Sequence, residues 1–204
     1  MEEYFKNQIL GYIQLFAKPF AWDNLQQLNA IIERLILNLD PKEYDIKCNI
    51  AIHKNALIEQ NVMMKGSVII GKNCFVAANS YLRNGVIFLE NVSVGPGCEV
   101  KSSVIFKHSS LAHFNFVGDS ILGNKVNLEA GSIIANHYNE RADKEVFAKV
   151  GDQIFSTATE KFGAFVGDGC KIGANAVLSP GTILAKNTVV HRLELIDQTK
   201  DFIK

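Results

Sequence analysis

The sequence predicts a mainly β fold, a parallel β-helix of six-residue repeats preceded by a helical cap. Three observations carry this. Ile52, Ile58, Met64, Ile70, Val76, Leu82, Phe88, Val94, Val100 and Phe106 recur every six residues. Four residues after each stands a mostly small or β-branched one, such as Val68, Cys74, Ser80, Val86, Cys98 or Ser110. A helical period, by contrast, is confined to the chain before residue 48. Six matches neither the 3.6 of a helix nor the 2 of an alternating strand, but it is the repeat of a β-helix. Each hexad supplies a short strand and a corner, three make a triangular coil, and coils stack at ~4.8 Å.

Residues 1–47 form the helical extension. A first helix is expected over about Tyr4 to Phe16, ahead of Pro19. In WDNLQQLNAIIERLILNLDP, Leu25, Leu28, Ile31, Ile32 and Leu35 share one helical face. Asp23 is placed to cap this second helix and Asp40-Pro41 to end it. Covering the open first coil is the expected task, since a bare edge invites strand pairing; a docking surface for a partner is the alternative.

Residues 48–204 form the β-helical domain, with two interruptions. Between Phe106 and Leu122 lie 16 positions where three hexads need 18, so the coil around His113 is expected to be tightened. Between Ile134 and Val166 the polar segment at about 137–163 is expected to project as a loop or hairpin of the kind that lines binding sites. The hexads resume at Val166, Ile172, Leu178, Leu184 and Val190.

Lysine plus arginine (21) equals aspartate plus glutamate (21), which argues against nucleic acid as the main partner. The start MEEYFKNQ has no signal pattern, and no apolar run approaches the ~20 residues of a membrane span. A cytoplasmic location is expected. Cys48, Cys74, Cys98 and Cys170 form no CxxC pair and read as reduced packing residues.

Residues 18 apart lie over one another in a regular coil. Lys65, Arg83 and Lys101 therefore make a column of cations ~5 Å apart. Such a column calls for water or an anion between like charges, so it reads either as a phosphate site or as a solvated corner. His113, two hexads beyond Lys101, either offers an imidazole suited to general-base work or is a surface histidine of no consequence. His108 is near it, but a third metal ligand is missing and no metal is expected. Asn127 and Asn136, in NLEAGSIIAN, either satisfy backbone groups at corners or reach sugar hydroxyls.

The segments EVKSSVIF…AHFNFVGDSILGNKVNLEAGSIIAN, with YLRNGV before and KFGAFVGDGCKIGANAVLSPGTIL after, resemble the C-terminal domain of the bifunctional sugar-1-phosphate uridylyltransferase/N-acetyltransferases over about residues 50–190. That resemblance implies a left-handed β-helix, a homotrimer with active sites between subunits, and transfer of acetyl from acetyl-CoA to the amine of an amino-sugar 1-phosphate. It further implies that His113 is the catalytic base and Glu99 an acid that supports the site. Arg83 and Lys101 would hold the sugar phosphate, and Asn127 and Asn136 would lie near the sugar and the acetyl donor. The backbone amides of the turn around Ala130 and Gly131 would meet the thioester carbonyl. Phe116 stands where that family usually has tyrosine, and Glu129 where it has glycine. Residues 1–47 match no part of the nucleotidyltransferase domain, so nucleotidyl transfer is not expected of this chain. A non-catalytic sugar-phosphate or sugar-nucleotide binding subunit, paired with a separate nucleotidyltransferase, is the alternative.

Overall fold

The computed structural model describes residues 21–200, so the helix expected over Tyr4 to Phe16 lies outside the described residues. Short parallel strands stack into a three-faced solenoid. The first face runs through Ile50–His53, Val68–Ile70, Ile121–Leu122, Ala164–Val166 and Thr182–Leu184. The second runs through Leu57–Ile58, Phe75–Val76, Ser93–Val94, Ser110–Leu111, Asn127–Leu128, Lys171–Ile172 and Val189–Val190. The third runs through Met63–Lys65, Phe116–Gly118, Ile133–Ile134, Val177–Leu178 and Leu195–Ile196. Two longer strands, Tyr81–Phe88 and Glu99–Ile105, turn the corner from the third face to the first, and join these faces into one sheet.

The aliphatic hexad leaders fill the interior, from Ile70 through Leu82, Val94, Leu111 and Leu128 to Val190, each at or near zero exposure. Burying one such side chain stabilises the fold by roughly 1.5–3 kcal/mol. The expected register needs one correction: Ile105, not Phe106, is the inward residue opposite Phe88. Val104 and Phe106 point outward, because the preceding corner is one residue short.

Outside the first face lies a second core. The face's outward residues Ala51, Ile69, Ile87, Val104, Ile121, Phe165 and Ile183 are covered rather than solvated. This explains continuous apolar runs such as Val68-Ile69-Ile70 where a half-exposed strand would alternate. Helix α1 (Ala21–Leu25) and helix α2 (Leu28–Ile36) supply Leu25, Leu28, Ile32 and Ile36 to it. Two short helices replace the one read from the period, and Asp23 sits inside α1 rather than capping α2, whose N-cap is Gln27 without a side-chain bond. They lie along the flank of the early coils. The edge of the first face is met instead by the antiparallel strand Tyr44–Lys47, paired with Ile50–His53.

The polar segment after Ile134 contains a hairpin, Phe147–Val150 with Gln153–Ser156. Its tip at Gly151-Asp152 is exposed, but Val146, Ala148 and Phe162 are fully buried in the second core. Phe162 meets Trp22 of α1 edge-on, with ring centroids 5.4 Å apart. The segment therefore hugs the solenoid instead of standing clear of it. All four cysteines are free; Cys74, Cys98 and Cys170 are buried and Cys48 is exposed.

Candidate anion and acyl-transfer site

Along the inner core, the steps around the first-to-second and second-to-third corners are always six residues: Ile70 to Val76 to Leu82, Ile105 to Leu111 to Val117, Val166 to Ile172 to Leu178. The third-to-first corner is variable. It takes six residues from Leu82 to Phe88, but five from Val100 to Ile105 and from Val117 to Leu122. The missing residues thus lie at Ser102 and Asp119. The coil is not tightened around His113, which occupies an ordinary six-residue step.

A corner one residue short has to turn through a single left-handed residue. Where the earlier coil uses Asn84 (φ 58°) and Gly85 (φ 93°), the next two use Ser102 (φ 46°) and Asp119 (φ 45°). Asp is one of the few residues that tolerate this conformation. The turn is pinned on both sides: the Asp119 N–H donates to the Lys101 carbonyl at 2.8 Å, and its carbonyl accepts the Gly163 N–H at 2.9 Å.

This geometry aims the Asp119 carboxylate at Lys101. One oxygen, Oδ2, accepts hydrogen bonds from both the Lys101 ammonium and the Asn136 side-chain amide. All three residues are at least nine-tenths buried, at 8%, 9% and 6% exposure for Lys101, Asp119 and Asn136. Asn136 can lie there because Gly118 is beneath it; a Cβ on Gly118 would stand 2.9 Å from the Asn136 amide. The Asn136 Oδ1 in turn lies 3.2 Å from His137 Nδ1.

The cation column is in register, with Lys65 opposite Arg83 and Arg83 opposite Lys101. Carboxylates already interleave it. Arg83 donates from Nε to Glu99 Oε1 at 2.7 Å, and Asp119 serves Lys101. Lys65 is exposed. The four charges of Arg83, Glu99, Lys101 and Asp119 therefore sum to zero.

His113 is exposed on the second-to-third corner, in the turn leading into Phe116–Gly118, whose Phe116 pairs with Glu99. Beside it Phe114, at φ 51° and 72% exposed, packs on Gly97. Within the turn of Ala130 and Gly131, the Gly131 N–H donates to the His113 carbonyl at 2.9 Å and the Glu129 N–H to the Ile172 carbonyl at 2.8 Å. Among the described residues, Ala130 carries the turn's N–H without an acceptor.

Asn127 is apart from this group. It lies exposed on the second face, in an open groove of about 490 Å³ with Lys171, His191 and Arg192. Glu129 borders that groove with its charge matched: it accepts from Arg192 Nε at 2.9 Å and Nη2 at 3.1 Å, and from the Ala174 N–H at 2.9 Å. The Arg192 hydrogen bonds hold the Glu129 carboxyl below the usual carboxylate range.

The structure thus joins Arg83 with Glu99 and Lys101 with Asn136. It puts His113 on the adjoining corner and Asn127 on another face. Reading the sequence for cations passed over Asp119, although it stands 18 residues after Lys101, the very spacing that revealed the cations. No cluster of three His, Cys, Asp or Glu suited to a metal occurs among the described residues, and none of their helices is long and apolar enough to cross a membrane.

Residues 46–150 match the family model described as the GMPPB C-terminal domain. The chain belongs to that family. A second model, the hexapeptide repeat of succinyl-transferase, matches residues 163–191, so the family fold continues in hexads beyond the hairpin. Among curated relatives, the bifunctional protein GlmU of Methanococcus maripaludis strain C7 is 39% identical over 196 residues, covering 93% of this chain and 46% of that protein. A bifunctional sugar-1-phosphate nucleotidylyltransferase/acetyltransferase of Sulfurisphaera tokodaii is 38% identical over 74 residues, 36% of this chain and 18% of its own length. The chain thus spans less than half of either relative. Solved structures include a hexapeptide transferase family protein from Anaplasma phagocytophilum at TM-score 0.35 and 19% identity, covering 72% of each chain. Another is a mutant perosamine N-acetyltransferase from Caulobacter crescentus with CoA and GDP-perosamine, at TM-score 0.28 and 13% identity, covering 79% of this chain and 59% of that one.

Proposed function

We propose that this chain is an acyltransferase domain that moves acetyl from acetyl-CoA to the amine of an amino-sugar 1-phosphate. The observation that carries the reading is the in-register pair of Arg83 and Lys101, linked through Asp119 to Asn136, with His113 exposed on the adjoining corner. The named activities of the bifunctional relatives point the same way. In this reading Arg83 and Lys101 hold the phosphate and Asn136 orients the sugar. Glu99 steadies Arg83. The amine attacks the thioester carbonyl carbon, the new C–N bond forms, and the C–S bond breaks with CoA as leaving group. His113 takes the proton that the amine sheds. The Ala130 N–H, next to Gly131 in the same turn, is the donor free to meet the developing oxyanion.

The working form is a homotrimer. Met63, Tyr81, Glu99, Phe116, Ile133, Val177 and Leu195 line up along the outside of the third face, with Met63 60% and Leu195 64% exposed and Glu99 turned to Arg83. A column that is apolar on both sides of one arginine-paired carboxylate marks a contact surface. Packing this face against a neighbouring copy gives Asn127 of one subunit a route to the site of another.

A second reading, a binding subunit for sugar phosphates or sugar nucleotides that serves a separate nucleotidyltransferase, draws on Phe116 and Glu129, which stand where the resembling family usually has tyrosine and glycine. The test is an acetylation assay with acetyl-CoA and glucosamine 1-phosphate. The acyltransferase reading expects turnover by wild type and a kcat lowered ~10²-fold or more in His113→Ala. Binding of the sugar phosphate without turnover selects the binding subunit.

A further inference from the structure

We propose that Asp119 is the positioning residue of this site, which fixes Lys101 and Asn136 as one unit and sets how strongly the site attracts negative charge. The proposal rests on the phosphate-binding reading above. Three features support it. One carboxylate oxygen serves both donors, and the cluster is nine-tenths buried. The backbone of Asp119 is tied to Lys101 on one side and Gly163 on the other, which fixes the point from which the carboxylate reaches its two donors. Its left-handed φ of 45° arises from the one-residue corner itself.

The chemistry follows from counting donors and charges. A lysine ammonium has three N–H groups. Asp119 occupies one, so two remain for the oxygens of a ligand. An anion held by them lies beside a fixed carboxylate and is repelled by it, in an environment where water screens poorly. Asp119 therefore trades affinity for orientation: it holds the donors still, and it keeps a phosphate from binding too tightly to be released. A neutral sugar has no such repulsion and is indifferent to the charge at residue 119.

The test is calorimetric titration of the full chain with glucosamine 1-phosphate, and with uncharged N-acetylglucosamine as control. Asp119→Asn retains an oxygen acceptor but removes the charge. It is expected to tighten glucosamine 1-phosphate about ten-fold, leave the control unchanged, and lose the gain when combined with Lys101→Met. Asp119→Ser also removes the charge, with a residue type that holds the equivalent left-handed corner at Ser102, and is expected to tighten the sugar phosphate about ten-fold as well. It serves if Asp119→Asn does not fold. Wild-type binding and turnover with both variants within two-fold of wild type overturns the role of Asp119 and leaves the acyltransferase reading intact. No wild-type turnover with tighter capture by Asp119→Asn supports the role and overturns that reading. No binding by wild type or either variant overturns both.

Discussion

Two kinds of corner in this solenoid obey different rules. The first-to-second and second-to-third corners repeat at six residues in every coil. Their chemistry is that of close packing: a Cβ on Gly95 would meet the Ala112 carbonyl at 1.5 Å, and Asn73 bonds to Asn91 one coil on at 3.3 Å. The third-to-first corner varies from five residues to the whole segment after Ile134, and there the buried polar cluster of Lys101, Asp119 and Asn136 is built. A regular corner stacks like on like, whereas an irregular one can set unlike side chains against each other.

The sharpest way to break this contrast is to remove one partner at the irregular corner. Lys101→Ala leaves the buried Asp119 carboxylate without its counter-charge, and is expected to cost about 3–5 kcal/mol, read as a lowered midpoint in urea. A similar loss of about 3–5 kcal/mol is expected for Phe162→Ala, which empties the space against Trp22 that holds the segment down. At a regular corner, Gly95→Ala forces the coils apart and is expected to cost about 1–3 kcal/mol. If Gly95→Ala proved harmless while Lys101→Ala did not, the regular corners would be looser than the stacking implies.

Much of the fold was legible because the inner core imposes a one-dimensional rule: every sixth residue is apolar from Ile52 to Val100. The rule fails at Phe106, and for a physical reason. With helices covering the outside of the first face, Val104 and Phe106 are buried as fully as Ile105, so hydrophobicity alone could not say which residue faces in. The site was legible to the extent that it follows vertical stacking, which aligned Arg83 with Lys101. Asp119 and Asn136 meet across a corner and an inserted segment, and no periodicity encodes that meeting. Asp23 illustrates a smaller failure: it looked like a cap only because the break between α1 and α2 left no signature in the apolar spacing.

Smaller effects sharpen the same comparison. The Glu129–Arg192 pair clips the regular second-to-third corner from outside. Glu129 is held below its usual range mainly by the Arg192 hydrogen bonds. Its contribution is therefore complete above the ordinary glutamate pKa of about 4.3 and is lost as the pH falls through the lower folded value. The difference in melting temperature between wild type and Arg192→Ala should shrink to zero over that acid range. The least perturbing probe is thiol labelling. Burial pushes the Cys74 thiol up to about 11, and Cys98 and Cys170 are raised by the same cause. At neutral pH the native chain should react at Cys48 alone, with the other three appearing on unfolding.

The central claim is that the irregular corner, rather than the groove on the second face, receives the phosphate. A crystal structure with glucosamine 1-phosphate decides it. The account predicts phosphate density over Arg83 and Lys101, with Asp119 still bonded to Lys101 and Asn136. Phosphate density in the groove of Asn127, Lys171 and Arg192, with the Lys101 cluster untouched, would contradict it.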